Sequence, residues 1–328
     1  MERVVRLIIF ALLVFIILKA STFGWCFWKK AAFYPEKSDS QLAQRLKQHV
    51  DTLSQQIGER SVFRYEALNE AAQYITEEFI SFGYKVKFQE YKVYDKVVKN
   101  IIVEKTGMQN AKETIIVGAH YDTCFNPGAD DNASGIAGLL ESARFFADKN
   151  TDKTIKFIAF VNEEPPFFQT QDMGSRVYTK DAKASNENII VALILESVGY
   201  YSNKLLSQRY PMPLGFFYPN KGNFIAVVGN LGSGGTARKV ASLLRKQRRI
   251  PVELAILPSF FPAIDFSDHW SFWKEGYPAL MITDTAFLRN ANYHRQSDTY
   301  EKLNYDYMAE LLAGFVGVLS ELSDKTSH

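Results

Sequence analysis

The chain of 328 residues has little cysteine: Cys26 and Cys124 are the only two, and their positions give no disulfide framework. It also lacks an excess of either charge. With 38 Lys and Arg against 36 Asp and Glu, the formal net charge of +2 supplies no field that would hold a polyanion, which argues against a nucleic-acid partner. The one basic cluster, Arg238, Lys239, Arg245, Lys246, Arg248 and Arg249, shares its segment with Val240, Leu243 and Leu244 at helical spacing. It reads as the solvated face of a helix. There is no internal repeat, low-complexity tract or Gly/Ser linker to divide the chain beyond its first forty residues or so.

A long uninterrupted apolar run is missing as well. Leu7 to Leu18 rises about 18 Å as a helix, short of a hydrocarbon core of roughly 30 Å. Extension to Trp28 gives about 33 Å, with Lys19 snorkelling and Trp25, Phe27 and Trp28 at the interface. Arg3 and Arg6 precede the run, Lys29 and Lys30 close it, and no small-x-small cleavage site follows Leu18. The expectation is a membrane anchor or signal segment at residues 1–30, a junction at 31–37, and the remainder outside the cytoplasm. The chain would be membrane-anchored, or secreted if the segment is a cleaved signal.

What is present is an ordinary globular composition, 47% hydrophobic and 23% charged, able to bury a full core. The runs Tyr84 to Tyr94, Val98 to Glu104, Thr114 to Ala119, Ile155 to Val161, Ile189 to Leu195, Phe224 to Val228, Val252 to Leu257 and Ala279 to Ile282 are short and rich in Val, Ile and Phe. They read as strands. Helical spacing marks 40–57, 64–82, 133–148, 233–247 and 304–322. Apolar strands alternating with helices predict an α/β fold: a three-layer α/β/α sandwich with a mostly parallel mixed central sheet, in a single domain over residues 38–328. Residues 202–222, rich in Pro, Tyr and Gly, read as an ordered insertion.

Five motifs carry candidate chemistry. Gly118-Ala119-His120-Tyr121-Asp122 ends a strand; His120 is a candidate metal ligand, and Asp122 is placed to hold its other ring N–H. Pro127-Gly128-Ala129-Asp130-Asp131-Asn132 sets two acids before a helix, where an N-cap would also explain them. Glu163 and Glu164 follow a strand as paired carboxylates, one suited to a cation and the other to a water. Glu196 ends another strand, and Tyr293-His294 lies in a late loop. Singly each has a structural explanation. Together they lie beyond the carboxyl ends of different strands, where parallel sheets place their sites, and two histidines among carboxylates suit zinc.

The succession H-Y-D, P-G-A-D-D-N-A-S-G, N-E-E, L-E-x-x-G-Y and Y-H-x-x-S-D-T resembles the two-zinc aminopeptidases, metallopeptidase family 28, whose relatives include glutamate carboxypeptidases and glutaminyl cyclases. The resemblance covers about residues 60 to 320. It implies a peptide substrate and two zinc ions bridged by Asp130, with a cis-type peptide between Asp130 and Asp131 and with Asp131 as a supporting carboxylate. It further implies His120 and Glu196 on one ion, Glu164 and His294 on the other, Glu163 as general base, and Tyr293 as a contact to substrate or oxyanion. Many members have Asp where Glu196 stands. Two other readings exist: a cyclase, a group that generally lacks the second acid of the Asp pair, and an inactive membrane-tethered binding domain, which would have lost a ligand or the base. His269, in Ser267-Asp268-His269-Trp270, reads as a packed residue, and Phe216, Phe217, Tyr218, Phe260 and Phe261 hint at an apolar pocket.

Overall fold

The computed structural model describes residues 40–212 and 214–324. The segment expected to meet the membrane lies outside these residues; among them no helix is long and apolar enough to cross a membrane.

The described residues open on two helices, α1 (Ser40–Asp51) and α2 (Tyr65–Ser81), followed by strands β1 (Lys87–Val93), β2 (Lys96–Lys105) and β3 (Asn110–His120). Helix α3 (Gly135–Phe146) leads to β4 (Lys153–Phe160), and α4 (Gly174–Ala184) to β5 (Asn188–Glu196). Then come β6 (Ile225–Asn230), α5 (Gly234–Gln247), β7 (Val252–Leu257), α6 (His269–Lys274), β8 (Ala279–Thr283) and α7 (Tyr305–Ser323). Helix α7 starts where the Asn304 side chain accepts the amide N–H of Tyr307, a donor that the helix itself leaves unpaired.

The strands form one eight-stranded mixed sheet in the order β1-β2-β4-β3-β5-β8-β6-β7. Its centre, β4-β3-β5-β8, is parallel, while β1, β2 and the β6–β8 pairing are antiparallel. Side chains alternate across the sheet, so each face needs its own cover. Ile116, Ile158 and Ile194 pack with Tyr178 and Ala182 of α4 and Phe272 of α6. Their neighbours Ile115, Val117 and Phe157, fully buried, project to the other face, where α3 lies against β3 and β4. The result is consistent with the expected three layers. All eight strands fall where the apolar runs predict them; α4 and α6, polar or short, are additions. The parallel centre brings the carboxyl ends of β3, β4, β5 and β8 to one edge.

Candidate metal centre

His120 is the last residue of β3, Glu163 and Glu164 follow β4 by a short turn, and Glu196 is the last residue of β5. Gly118 pairs with Ile194, so His120 and Glu196, two residues on, stand level at the sheet edge. The loop beyond β8 carries Tyr293 and His294. Asn162, Ser197 and His294 all have φ in the left-handed region, at 58°, 48° and 56°. The chain thus turns sharply beside each group of side chains, a strain that tolerates few sequences and is concentrated at sites.

At the centre stands Asp131. His120 Nε2 lies 3.2 Å from Asp131 Oδ1 and 3.2 Å from Glu196 Oε2, while His294 Nε2 lies 3.0 Å from Asp131 Oδ2 and 3.2 Å from Glu164 Oε2. Two His–carboxylate groups therefore share one aspartate, an oxygen to each. The motif reading gave this position to Asp130, and the structure corrects it by one residue. Asp130 faces away: its Oδ1 accepts the Gly199 amide at 2.9 Å and its Oδ2 the Asn290 side-chain amide at 2.8 Å. The cis peptide is likewise one bond later, at Asp131–Asn132.

Hydrogen bonds around the turn decide which acid faces the histidines. Asn132 Oδ1 accepts the amides of Gly135 and Ser197 at 3.0 and 3.1 Å, and its Nδ2 donates to Leu195 O at 2.9 Å. Asp298 accepts the backbone amides of both Asp130 and Asp131, at 3.1 and 3.2 Å. With both flanks tied, only the Asp131 side chain is left to point at the sheet edge.

Asp122 has a second task beside the one expected. The nearest acceptor for His120 Nδ1 is the Asp122 backbone carbonyl at 3.2 Å, with its carboxylate at 3.6 Å. That carboxylate accepts the amide N–H of Glu163 at 3.1 Å and of Glu164 at 3.0 Å. It thereby fixes the turn that aims the paired glutamates. Glu196 is held in turn by the hydroxyls of Ser197 and Ser267, at 3.0 and 2.8 Å.

Beneath the site lies Arg60, fully buried. Its guanidinium donates to the carbonyls of Tyr121, Leu53, Gly58, Pro127 and Gly128, at 2.6 to 3.1 Å. It clamps the 121–128 loop to the N-terminal helices. Gly128 has φ 59°, and a side chain there would run into Thr123 and the Asp131 carbonyl, so this approach requires glycine. Arg60, Asn290, Ser267 and the use of Asp298 are invisible in the motifs, because each acts on groups far away in sequence: Arg60 and Asp298 on the backbone, Asn290 and Ser267 on the carboxylates of Asp130 and Glu196.

The charge balance calls for cations. Burial pushes the Glu163 carboxyl well above the usual carboxylate range, with Glu164 and Glu196 adding to it and His120 opposing. Glu164 is pushed up to about 8 by burial and Asp131, and Asp268 to about 7 by burial. Burial also works against the charge on Asp131, but the two histidines outweigh it and hold its pKa below the usual range. For His120 burial again opposes the charge, and Glu196 and Glu163 reverse the outcome, raising its pKa well above the ordinary value. Uncompensated buried carboxylates each cost several kcal/mol. His120 Nε2, His294 Nε2 and Glu164 Oε1 have no hydrogen-bond partner among the described residues, and the converging donors are nitrogen and oxygen. The residues fit zinc.

Tyr293 stacks on the His294 ring, with centroids 3.9 Å apart. It also lines a cavity of about 120 Å³ that opens beside Glu196 and is walled by Leu214, Tyr218, Phe224, Phe261 and Met281. Of the aromatics expected to form a pocket, Tyr218 and Phe261 line it, whereas Phe216 and Phe260 point to solvent. His269 is buried with Nε2 2.7 Å from Ile264 O and packs edge-on against Trp273. It is a packed residue, outside the metal centre.

Known proteins resemble this chain in sequence and in fold. The chain is 38% identical over 286 residues to the uncharacterized protein YfbL of Escherichia coli, covering 84% of this chain and 87% of that one. It is 27% identical to a probable leucine aminopeptidase of Arthroderma otae, over 67% of this chain and 57% of the relative. Among solved structures the zinc aminopeptidase BSAP from Bacillus subtilis shares the fold, with a TM-score of 0.68, 16% identity, and coverage of 87% of this chain and 96% of that one. The sequence model of peptidase family M28 matches residues 100–317, a span that holds the whole His–carboxylate centre. The chain is thus a member of peptidase family M28, a metallopeptidase.

Proposed function

We propose that the protein is a zinc-dependent aminopeptidase that removes an apolar residue from the free amino terminus of a peptide. The observation that carries this reading is the single aspartate, Asp131, presenting one oxygen to each of two His–carboxylate groups. His120 and Glu196 would hold one zinc ion and His294 and Glu164 the other, with Asp131 common to both. When bound, the ions would polarise the scissile carbonyl and lower the pKa of the attacking water.

Glu163 is the base. Its Oε2 lies 3.8 Å from His120 Nε2, within the site but outside the shared His–carboxylate groups. There it takes the proton of the attacking water and returns it to the leaving amine. Asp122, by holding the amides of Glu163 and Glu164, keeps the proton carrier and the cation-binding acid in distinct orientations. Tyr293, braced on His294, is set to contact the substrate between centre and cavity.

The direction of attack follows from charge. Carboxylates dominate the site, and neither buried arginine lines the cavity: Arg60 serves backbone carbonyls, and Arg289 donates to Gln208 and Tyr200 O while lying over Phe224. This favours a substrate ammonium over a substrate carboxylate. The cavity approaches the roughly 150 Å³ of apolar space that accepts benzene, and its walls suit a branched or aromatic side chain. The relative of Arthroderma otae, a probable leucine aminopeptidase, supports the same preference. Cyclisation is disfavoured because the second acid of the pair, Asp131, is present and central, and an inactive domain is disfavoured because the base and every candidate ligand are in place.

The test is a panel of aminoacyl chromogenic amides, free and N-acetylated, with zinc measured on the same sample. Cleavage of free leucyl and phenylalanyl amides ahead of alanyl, none of blocked forms, and about two zinc ions per chain are expected. Equal cleavage of blocked substrates overturns the aminopeptidase reading, and an enzyme indifferent to chelation overturns the metal reading.

A further inference from the structure

We propose that Cys124 is a sulfur ligand of the cation position formed by Asp131, Glu164 and His294, a role that rests on the zinc reading above. The thiol, a carboxylate oxygen of Glu164 and a ring nitrogen of His294 all lie within 4.8 Å of one another, the spread of atoms around a common ion. Glu164 is buried, yet its Oε1 has no hydrogen-bond partner, and His294 Nε2 is equally unpartnered. These two groups and the thiol converge on one point. Asp131 Oδ2, 3.0 Å from His294 Nε2, would supply the fourth donor.

The thiol is presented by a fixed loop. Thr123 exchanges two hydrogen bonds with Arg60, its amide donating to the Arg60 carbonyl at 2.8 Å and its hydroxyl accepting the Arg60 amide at 2.9 Å. Asn126 Nδ2 donates to Cys124 O at 2.7 Å, and Gln296 Nε2 to Phe125 O at 2.7 Å. Cys124 is thus tied on both sides, and from the His294 side as well, since Gln296 lies two residues beyond that histidine. The companion group, His120, Asp131 and Glu196, contains no sulfur. The two cation positions therefore differ in kind: one has nitrogen and oxygen donors only, and the other adds a soft thiolate, which favours zinc, cobalt or cadmium over magnesium or manganese. Cys124 binds as thiolate and releases one proton to solvent. Metal in turn shields a half-buried thiol that is otherwise open to reagents.

The experiment uses the full chain carrying Cys26→Ser, so that Cys124 is the only thiol, with bound cobalt(II) counted by equilibrium dialysis. Cobalt-loaded protein should show a thiolate-to-cobalt charge-transfer band in the near ultraviolet, absent once Cys124→Ser is added while the visible ligand-field bands persist. A disulfide reagent should react slowly with the loaded protein and rapidly after chelation. Cobalt bound without that band, with a thiol equally reactive loaded and stripped, overturns the role of Cys124 and leaves the two-metal reading standing. If no cobalt binds, both fall. The band and the thiol rates are read on the unsubstituted Cys124, so the outcome does not depend on whether Cys124→Ser folds.

Discussion

Asn290 donates its side-chain amide to Asp130 at 2.8 Å, and that contact turns the first acid of the Asp pair away from the histidines and leaves the second to face them. The two acids should therefore fail differently. Asp131→Asn is expected to abolish zinc retention and activity together. Asp130→Asn, which disturbs only the support of the turn, should weaken metal affinity by about 10- to 100-fold. Zinc per chain after dialysis, measured for both, distinguishes them; the reverse order would return the shared position to Asp130.

The adjacent glutamates divide in the same way. Glu163→Gln keeps shape and polarity, so metal content should match the parent while turnover falls roughly 10²- to 10⁴-fold. Glu164→Gln replaces an anionic donor with a neutral one and should lose metal, with activity partly restored by added zinc. Loss of metal from the first variant alone would exchange the two roles.

Cavity size should set side-chain preference. Ala255 lines the cavity, and Ala255→Leu should lower kcat/KM for leucyl and phenylalanyl amides by about 10- to 200-fold relative to the alanyl amide, the range that one methylene or a few can discriminate. An unchanged ratio would mean that the substrate side chain lies elsewhere.

Arg60→Lys keeps the charge but loses the fork that reaches five carbonyl groups. Stability should fall by about 3 kcal/mol, as expected when several buried acceptors lose their donor. Urea unfolding with an unchanged m-value would report it, and a shift of a few tenths of a kcal/mol would show that water replaces the guanidinium.

Glu141 of α3 lies 2.9 Å from Arg45 and 3.4 Å from His49 of α1, with Arg144 at 3.6 Å. Burial alone would raise its pKa, but His49 and Arg45 prevail and hold it below the usual value. A group depressed in the folded state contributes stability that is present above its unfolded pKa, roughly 4.3, and is lost as pH falls through the folded value. Glu141→Gln should flatten that acid limb of the stability profile and leave the neutral range sloped as before. An unchanged acid limb would remove Glu141 from the account.

The sheet was legible in the sequence because buried parallel strands must be continuously apolar, and the runs ending at His120 and Glu196 announce both the strand and the edge. The histidines and carboxylates brought together there were legible for the same reason. Which of two neighbouring acids faces inward was not, since Asp130 and Asp131 differ only in the hydrogen bonds that Asn290, Asp298 and Asn132 impose from distant positions. Helix α6 is too short for its period to register, and α4, GSRVYTKDAKA, is mostly polar. Cys124 carries no signal in its own neighbourhood; its meaning depends on a loop 170 residues away in sequence, as the 171-residue separation of the Phe125–Gln296 bond illustrates.

The Arg60 clamp also bears on where this protein can be cut. The match to the peptidase family model begins at residue 100, and a fragment starting there would keep every histidine and acid of the centre. It would lose Arg60, and with it the donor to the carbonyls of Tyr121, Pro127 and Gly128. The catalytic edge and the leading helices are thus expected to unfold together, and the start of the family-model match is not a boundary of autonomy.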